Sequence, residues 1–197
     1  GPNGNNGTVS GAVAASGSYL EWTGQGEIDT GITFQSIFDS NGTGEYTVAA
    51  KFQYAGTDGQ TFTAIFGGAE TNGSGTEFFI GKPVGITTLA IQEGEWKAFY
   101  YETPGVFDSA GRASSHTIVV TRSGSPGSYV IRTYIDGVYV QQSNFTGVNL
   151  TERILIGNEA EGNGFPFTGK IWQAIVLDKV LPSGEIQALH RSMVADE

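Results

Sequence analysis

Cysteine is absent from this chain of 197 residues, which excludes disulfide bonds and thiolate zinc sites. Long apolar runs are absent as well, so no segment is expected to insert into a membrane. Basic residues are scarce: 10 Lys and Arg stand against 20 Asp and Glu, giving a net charge of −10. Because binding to nucleic acid requires clustered Lys and Arg, nucleic acid is not an expected partner. The acidic balance suits a soluble protein, and it also suits a protein that binds cations.

Proline is rare and glycine abundant, with 6 Pro against 30 Gly, as in short strands joined by tight turns. Aromatic residues make up 12 % of the chain, which is too many for a disordered protein. Residues 1–18 are small and polar, and Gly1-Pro2 is typical of a protease-cleavage scar. We expect residues 1–18 to be that scar with a flexible linker or an edge strand. Residues 19–197 are expected to form one domain cut from a larger parent chain.

Strand-like alternation dominates the rest of the sequence. Apolar and polar residues alternate over residues 45–54, which predicts a strand buried on one face. Asp136-Gly137 between two apolar runs predicts a two-residue hairpin turn. A helix is expected only near residues 183–193, where Ser183 is a suitable N-cap. The frequent turn signals predict an all-β fold: at least ten strands in a two-sheet antiparallel β-sandwich, with one short C-terminal helix.

Residues 153–185 carry the most information about the family. An apolar strand at 154–156 ends in Gly157, an acidic loop follows at 158–164, and Gly169 opens another strand. Residues 181–186 then read Leu-Pro-Ser-Gly-Glu-Ile. This order resembles the closing segment of laminin G-like and pentraxin-like domains in the concanavalin A-like lectin/glucanase superfamily. The resemblance implies a jelly-roll sandwich.

Two further stretches support the same resemblance. His116 followed by an apolar strand, Thr-Arg and then Asp136-Gly137 is similar to a motif of laminin G-like domains. Residues 19–32 resemble the first hairpin of those domains, with Tyr-Leu, a glycine turn and Ile-Asp-Thr-Gly-Ile. Together these pieces extend the resemblance over about residues 19–190.

The acidic loop is similar to the calcium loop of pentraxins, in which an acid, a backbone carbonyl and a second acid follow one another. Glu159, Ala160 and Glu161 match these positions, and Asp58 lies in the place of an acid that pentraxins supply from an earlier loop. The resemblance implies that these four residues bind Ca²⁺, which prefers carboxylate and carbonyl oxygens. The alternative is an acidic loop that is solvated and holds no metal.

Catalytic motifs are poorly represented, so the protein is not expected to be an enzyme. His116 and His190 lack a nucleophile context such as Gly-x-Ser-x-Gly, and both are expected to be structural. Glycoside hydrolysis needs paired carboxylates, and glucanases of this superfamily place three acids on one strand. Here Glu27 and Asp29 are followed by Ile32 in the place of the third acid.

The resemblance implies a non-catalytic, lectin-like module that binds a glycan or glycoconjugate. Its expected parent is an extracellular bacterial adhesin, a glycan-degrading enzyme or a phage tail protein, located outside the cell, at its surface or in a virion. Trp172 is expected to pack in the core or, alternatively, to offer a stacking face for a sugar. Two other functions stay open: a structural spacer or assembly domain of a fibre or adhesin, and a glycan hydrolase or lyase.

Overall fold

The computed structural model describes residues 7–56, 62–69, 78–82, 89–93, 106–107, 114–145, 152–158 and 164–195. Within these ranges the chain forms eleven strands and two helices, which confirms the prediction of at least ten strands and a C-terminal helix. In chain order they are β1 (Thr8–Ser16), β2 (Tyr19–Thr33), α1 (Phe34–Asn41), β3 (Tyr46–Tyr54), β4 (Thr63–Ala69), β5 (Phe78–Lys82), β6 (Ala90–Glu93), β7 (His116–Ser125), β8 (Ser128–Ile135), β9 (Val138–Phe145), β10 (Arg153–Ile156), β11 (Gly169–Leu177) and α2 (Ser183–Ala195). No helix in these ranges is long and apolar enough to cross a membrane.

The described strands form one hydrogen-bonded sheet in the order β6-β5-β4-β10-β2-β11-β3-β7-β8-β9, and β1 pairs with β2 outside this path. Every pair among them is antiparallel. The sheet is strongly curled into a half-barrel, a shape that strand twist produces when it accumulates over many strands. The all-β antiparallel prediction is therefore confirmed. Separation into two stacked sheets is not confirmed, because β2 joins both halves as one continuous strand.

β2 is a single strand of 15 residues, so the hairpin predicted within residues 19–32 is wrong. The hairpin lies one strand earlier: Ser16 pairs with Tyr19, and β1 then follows β2 for most of its length. Gly26 does not turn the chain but lets β1 approach, because a β-carbon there would lie 2.8 Å from the backbone nitrogen of Ala12. The opposite edge of β2 pairs with β11 near its start and with β10 near its end.

β3 is buried on both faces, whereas its alternating sequence predicted burial on one face only. Tyr46 and Val48 belong to the main core, on the face that we call the inner face of the sheet. Ala49 lies on the opposite, outer face, where it belongs to a second cluster with Ile186 and Met193 of α2. Sequence alternation gives no sign of this burial, because the helix that covers the outer face comes from the far end of the chain.

α1 is a second helix that the sequence did not predict. Thr33 caps it, since the N–H of Ser36 donates to the Thr33 hydroxyl at 3.0 Å. Phe34 and Ile37 are buried in the main core, and the centroid of the Phe34 ring lies 4.6 Å from that of Phe78. A helix of 8 residues is marginal by itself, so this packing stabilises it. So short a segment has too few turns to show a helical period.

Candidate functional site

Trp172 lies at a β-bulge in the middle of the sheet. In the pairing of β11 with β3, Ile171 pairs with Phe52 and Gln173 pairs with Lys51, so Trp172 is the extra residue between them. A bulge bends its strand and re-aims a side chain, and bulges are frequent next to functional sites. Trp172 is therefore the unpaired residue of this bulge, and it follows Ile171, which packs in the main core on the inner face.

The indole of Trp172 is partly buried on the outer face, and it does not belong to the buried core clusters. Its ring centroid lies 5.5 Å from that of Tyr19, at an angle of 56° between the ring planes. Lys51 lies under it, with Nζ 5.5 Å from the ring centroid. Lys51 is 1 % exposed and donates from Nζ to the carbonyl oxygen of Met193 at 2.8 Å. Trp172 is thus held by an aromatic neighbour and a buried cation while part of its surface stays accessible.

Beside Trp172 the outer face forms a cavity of about 560 Å³, which we call the outer-face cavity. Its volume falls within the range typical of small-ligand sites. Five elements or their flanks meet there: the end of β3, the approach to β7, the β8–β9 turn, the bulge of β11 and the last turns of α2. All of the lining residues that the structure describes are exposed or partly exposed. They are Gln53, Ser114, Ser115, Asp136, Trp172, His190 and Val194.

Asp136 is the acidic residue among the described residues that line this cavity, and its carboxylate is held from two sides. It lies in the predicted hairpin turn with a φ of 50°, followed by Gly137 at 75°, so the two-residue turn is confirmed. Oδ1 accepts a hydrogen bond from the N–H of Thr117 at 2.8 Å, and Oδ2 lies 2.8 Å from Nδ1 of His116. These contacts fix the plane of a carboxylate whose side chain remains 43 % exposed.

The pKa of Asp136 lies below its ordinary value, although burial acts in the other direction. Burial by itself would raise this pKa. The hydrogen bonds from His116 and from the Thr117 N–H, together with the electrostatic influence of His116 and His190 on the carboxylate, outweigh the effect of burial and lower the pKa. Asp136 is therefore an ionised acceptor at neutral pH.

His190 connects α2 to the wall of the cavity. Its Nδ1 lies 2.8 Å from the hydroxyl oxygen of Thr117, and its ring packs on Gly137. His116 contacts Asp136, as described above. Both histidines thus hold the cavity wall in place, in keeping with the structural role that the sequence predicted for them. That prediction did not foresee that the pair would line or support a cavity.

Glu27 and Asp29, the two acids of the incomplete glucanase-like motif, have partners outside the outer-face cavity. Asp29 pairs with Arg153 and also accepts a hydrogen bond from the N–H of Gly31 at 2.9 Å. Glu27 accepts from the side-chain amide of Asn158 at 3.1 Å. Asp29 therefore joins β2 to β10, Glu27 joins β2 to Asn158 two residues beyond the end of β10, and neither acid lines the outer-face cavity.

The predicted calcium ligands Asp58, Glu159, Ala160 and Glu161 lie outside the described residues, and their convergence stays a prediction. Among the residues that the structure does describe, no group of three or more acidic or histidine side chains could hold a metal ion. Asn158, immediately before the predicted ligands, is buried and carries an amide oxygen of the kind that Ca²⁺ accepts as a ligand.

Residues 165–168 contact the flanks of both segments that contain the predicted ligands. Ala55, before the first segment, donates from its N–H to the carbonyl of Thr168 at 2.9 Å. Gly157, before the second, accepts from the N–H of Phe167 at 2.8 Å. The two segments therefore leave the described part of the sheet from the same place.

The curled antiparallel sheet with a short C-terminal helix places the chain in the all-β class of domains. A profile of the family described as the concanavalin A-like lectin/glucanases superfamily matches residues 24–187, and the chain belongs to that superfamily. The matching profile is a laminin G one, which confirms the resemblance drawn from the sequence.

Solved structures agree with this fold. The sialidase of Trypanosoma rangeli superposes with a TM-score of 0.67 at 14 % identity, covering 95 % of this chain and 30 % of the sialidase chain. A SAP-like pentraxin from Limulus polyphemus gives 0.57 at 18 % identity, covering 74 % of this chain and 69 % of the pentraxin. The CBM40 of the Ruminococcus gnavus IT-sialidase, bound to α2,3 sialyllactose, gives 0.57 at 13 %, covering 74 % and 82 %. This chain therefore spans 30 % of the length of the sialidase it matches. No curated protein sequence matches the chain.

Proposed function

We propose that this domain is a non-catalytic carbohydrate-binding module, and that its ligand is a glycan or glycoconjugate bound in the outer-face cavity. The observation that carries the proposal is the position of Trp172, which lies at a β-bulge and lines a cavity with polar residues. Sugar rings have one apolar C–H face and several hydroxyl groups. An aromatic side chain beside polar groups suits both features at once.

The polar lining supplies the hydrogen bonds that such a ligand needs. Gln53 carries an amide, Ser114 and Ser115 carry hydroxyl groups, and Asp136 carries a fixed carboxylate. Amide and hydroxyl groups both donate and accept, which suits the hydroxyl groups of a sugar. Because these residues come from strand ends and a tight turn, the site is largely pre-formed, and less ordering opposes binding.

Solved structures with a similar fold support the proposal that this domain belongs to a larger protein. The module that superposes from the Ruminococcus gnavus sialidase carries a bound sialylated sugar, and the Trypanosoma rangeli sialidase is a much longer chain than this one. We place the present domain in an extracellular parent chain of that general kind, an adhesin, a glycan-degrading enzyme or a phage tail protein. In each of these the domain would hold the parent to a carbohydrate surface.

A glycan array with the wild-type domain and the Trp172→Ala variant tests the proposal. The wild type is expected to bind at least one class of glycan, and Trp172→Ala is expected to weaken that binding at least tenfold, since stacking and area burial are both lost. Tyr139→Ala is the matched control, because Tyr139 is 50 % exposed on the same sheet and does not line the cavity. Equal loss in both variants, or no glycan bound by the wild type, would leave the spacer function as the better account.

The enzymatic alternative has a direct test of its own. Incubation of the domain with the glycans it binds should release no reducing ends or unsaturated products above background, because Glu27 and Asp29 are engaged by Asn158 and Arg153. Turnover that disappears when one carboxylate is replaced by its amide would establish a hydrolase or lyase instead.

We also propose a calcium site made by Asp58, Glu159, Glu161 and the carbonyl of Ala160. Support comes from the loop resemblance and from residues 165–168, which contact the flanks of both segments. Ca²⁺ would supply the positive charge that offsets the repulsion among three carboxylates. Its role there would be to fix the rim of the domain.

A further inference from the structure

We infer that the outer-face cavity selects neutral glycans, with Asp136 accepting hydrogen bonds from two adjacent hydroxyl groups of a sugar whose apolar face lies on Trp172. This inference rests on the proposed function and adds to it the class of sugar and the residue that recognises it. Asp136 and Trp172 both line this one cavity.

The carboxylate of Asp136 has acceptor capacity left for a ligand. An ionised carboxylate offers about four lone-pair positions, two on each oxygen. In the structure Oδ1 accepts from the Thr117 N–H and Oδ2 contacts Nδ1 of His116, one partner for each oxygen. One acceptor position on each oxygen therefore remains, and 43 % of the side chain is exposed. Two parallel acceptor positions match two donors on neighbouring carbon atoms, as in bidentate recognition generally.

The geometry of this acceptor pair is fixed before any ligand arrives. Asp136 lies in the left-handed region at the first position of a two-residue turn, a conformation that Asp tolerates better than most residues. Its own N–H donates to the carbonyl of Thr117 at 2.9 Å, so backbone and side chain are bound to the same residue. A carboxylate held in this way loses little freedom when it binds two hydroxyl groups.

Charge at the cavity favours a neutral ligand over an acidic one. Among the described residues that line the cavity Asp136 is the acidic one, and a ligand carboxylate close to it would be repelled. Two lysines lie near Trp172 but offer little compensation. Lys51 is 1 % exposed beneath the indole, and Lys170 lies with Nζ 4.6 Å from the ring centroid of Tyr19 without lining the cavity. The net charge of −10 adds a weaker repulsion of polyanions.

The other polar groups of the cavity suit a ligand that carries hydroxyl groups. Gln53, Ser114 and Ser115 are neutral, and each side chain can both donate and accept. A uronic or sialic acid would need a cation or an array of donors at its carboxylate. The described lining contains no lysine or arginine, and its one basic group, His190, packs on Gly137 and contacts Thr117.

Matched sugar pairs that differ only at one carbon test this inference. Titrations followed by nuclear magnetic resonance would compare methyl glucoside with methyl glucuronide, and methyl galactoside with methyl galacturonide, with sialyllactose as a third acidic probe. The neutral member of at least one pair is expected to bind at least tenfold more tightly than its acidic partner. The Trp172→Ala variant should weaken binding of that neutral sugar.

Asp136→Asn gives the second arm of the experiment. The amide keeps an oxygen for the Thr117 N–H but can no longer accept two hydroxyl groups, so neutral sugars should bind at least tenfold more weakly. The preference over the acidic partner should also shrink toward equality. If this variant does not fold, the wild-type domain is titrated instead with monodeoxy derivatives of the bound sugar. Removal of either of two adjacent hydroxyl groups should then weaken binding to a similar extent.

The possible outcomes distinguish failure of this inference from failure of the proposed function. Binding of acidic sugars only, still dependent on Trp172, would overturn the inference and leave the proposed function standing. Neutral binding that is indifferent both to Asp136→Asn and to removal of any hydroxyl pair would overturn the role of Asp136. Absence of any sugar whose binding depends on Trp172 would overturn the proposed function and the inference together.

Discussion

His190 packs directly on Gly137: a β-carbon built at Gly137 would lie 2.8 Å from Cδ2 of the imidazole. The last turns of α2 and the β8–β9 turn therefore fit together only because position 137 has no side chain. This contact places the imidazole beside Asp136, so the shape of the outer-face cavity depends on it.

Gly137→Ala should destabilise the domain and weaken glycan binding. The residue has a φ of 75°, which strains any side chain, and the added methyl group would displace His190. We expect a loss of about 1–3 kcal/mol in the free energy of unfolding, measured by urea denaturation. Gly184→Ala in α2 is the control, because nothing lies within 4 Å of its added β-carbon and alanine favours a helix. A Gly137→Ala domain as stable as the wild type would contradict the packing described above.

Met193→Ala should detach α2 from the outer face. Met193 is fully buried in the cluster that α2 forms with β3, β7 and β8, and truncation of such a side chain costs about 2–5 kcal/mol. Val194→Ala, at the next position and 43 % exposed, should change the free energy of unfolding by less than about 0.5 kcal/mol. Thermal and urea unfolding of the two variants would measure the difference, and equal effects would show that α2 is not docked as described.

Acid should remove the stabilising effect of Asp136. A carboxyl whose pKa is lower in the folded state stabilises the fold above its unfolded pKa of about 3.9, and it loses that effect as the pH falls through the folded value. The wild type should therefore be more stable than Asp136→Asn at pH 6, and the difference should vanish as the pH falls well below 4. Since the side chain is 43 % exposed, solvent screens the interaction and the difference should stay below about 1 kcal/mol. A difference that does not change with pH would rule out this linkage.

Removal of calcium tests the predicted loop site. If Ca²⁺ binds Asp58, Glu159, Ala160 and Glu161, a hundredfold excess over Kd stabilises the fold by about 2.7 kcal/mol. For a domain of this size that corresponds to a rise of roughly 5–10 °C in Tm, reversed by EDTA. The double variant Glu159→Gln/Glu161→Gln should abolish the rise, whereas Glu185→Gln on the exposed side of α2 should preserve it. A wild-type Tm that changes with neither calcium nor EDTA would show that the acids among these residues are solvated loop acids.

The sequence predicted individual turns and strands better than it predicted how they assemble. The Asp136-Gly137 turn and the helix at Ser183 have local signals, and both are where those signals placed them. No local signal indicates that β2 is continuous, because Gly24 and Gly26 are as typical of a turn as of a strand that another strand approaches closely. That ambiguity produced the wrong hairpin and obscured the way in which one strand joins both halves of the sheet.

The outer-face cavity could not be predicted, because its lining comes from positions between 53 and 194 that only the fold brings together. The bulge of β11 is visible in the packing of its side chains. Ile171 and Ala174 pack on the inner face, three residues apart, whereas Ile175 packs on the outer face. A strand keeps side chains on one face at intervals of two, so an interval of three indicates the bulge. Because residues 174–177 are all apolar, the sequence by itself does not show this interval, and the bulge at Trp172 could not be predicted from it.

The most direct test of the central claim is a map of the bound sugar on the domain. Nuclear magnetic resonance titration with the best ligand from the glycan array would follow the indole N–H of Trp172, the side-chain amide of Gln53 and the backbone N–H groups of residues 114–117 and 136–137. We predict that these signals shift together and saturate with one Kd. Shifts confined to other surfaces, with the Trp172 indole unchanged at saturation, would contradict the claim that the outer-face cavity is the carbohydrate-binding site.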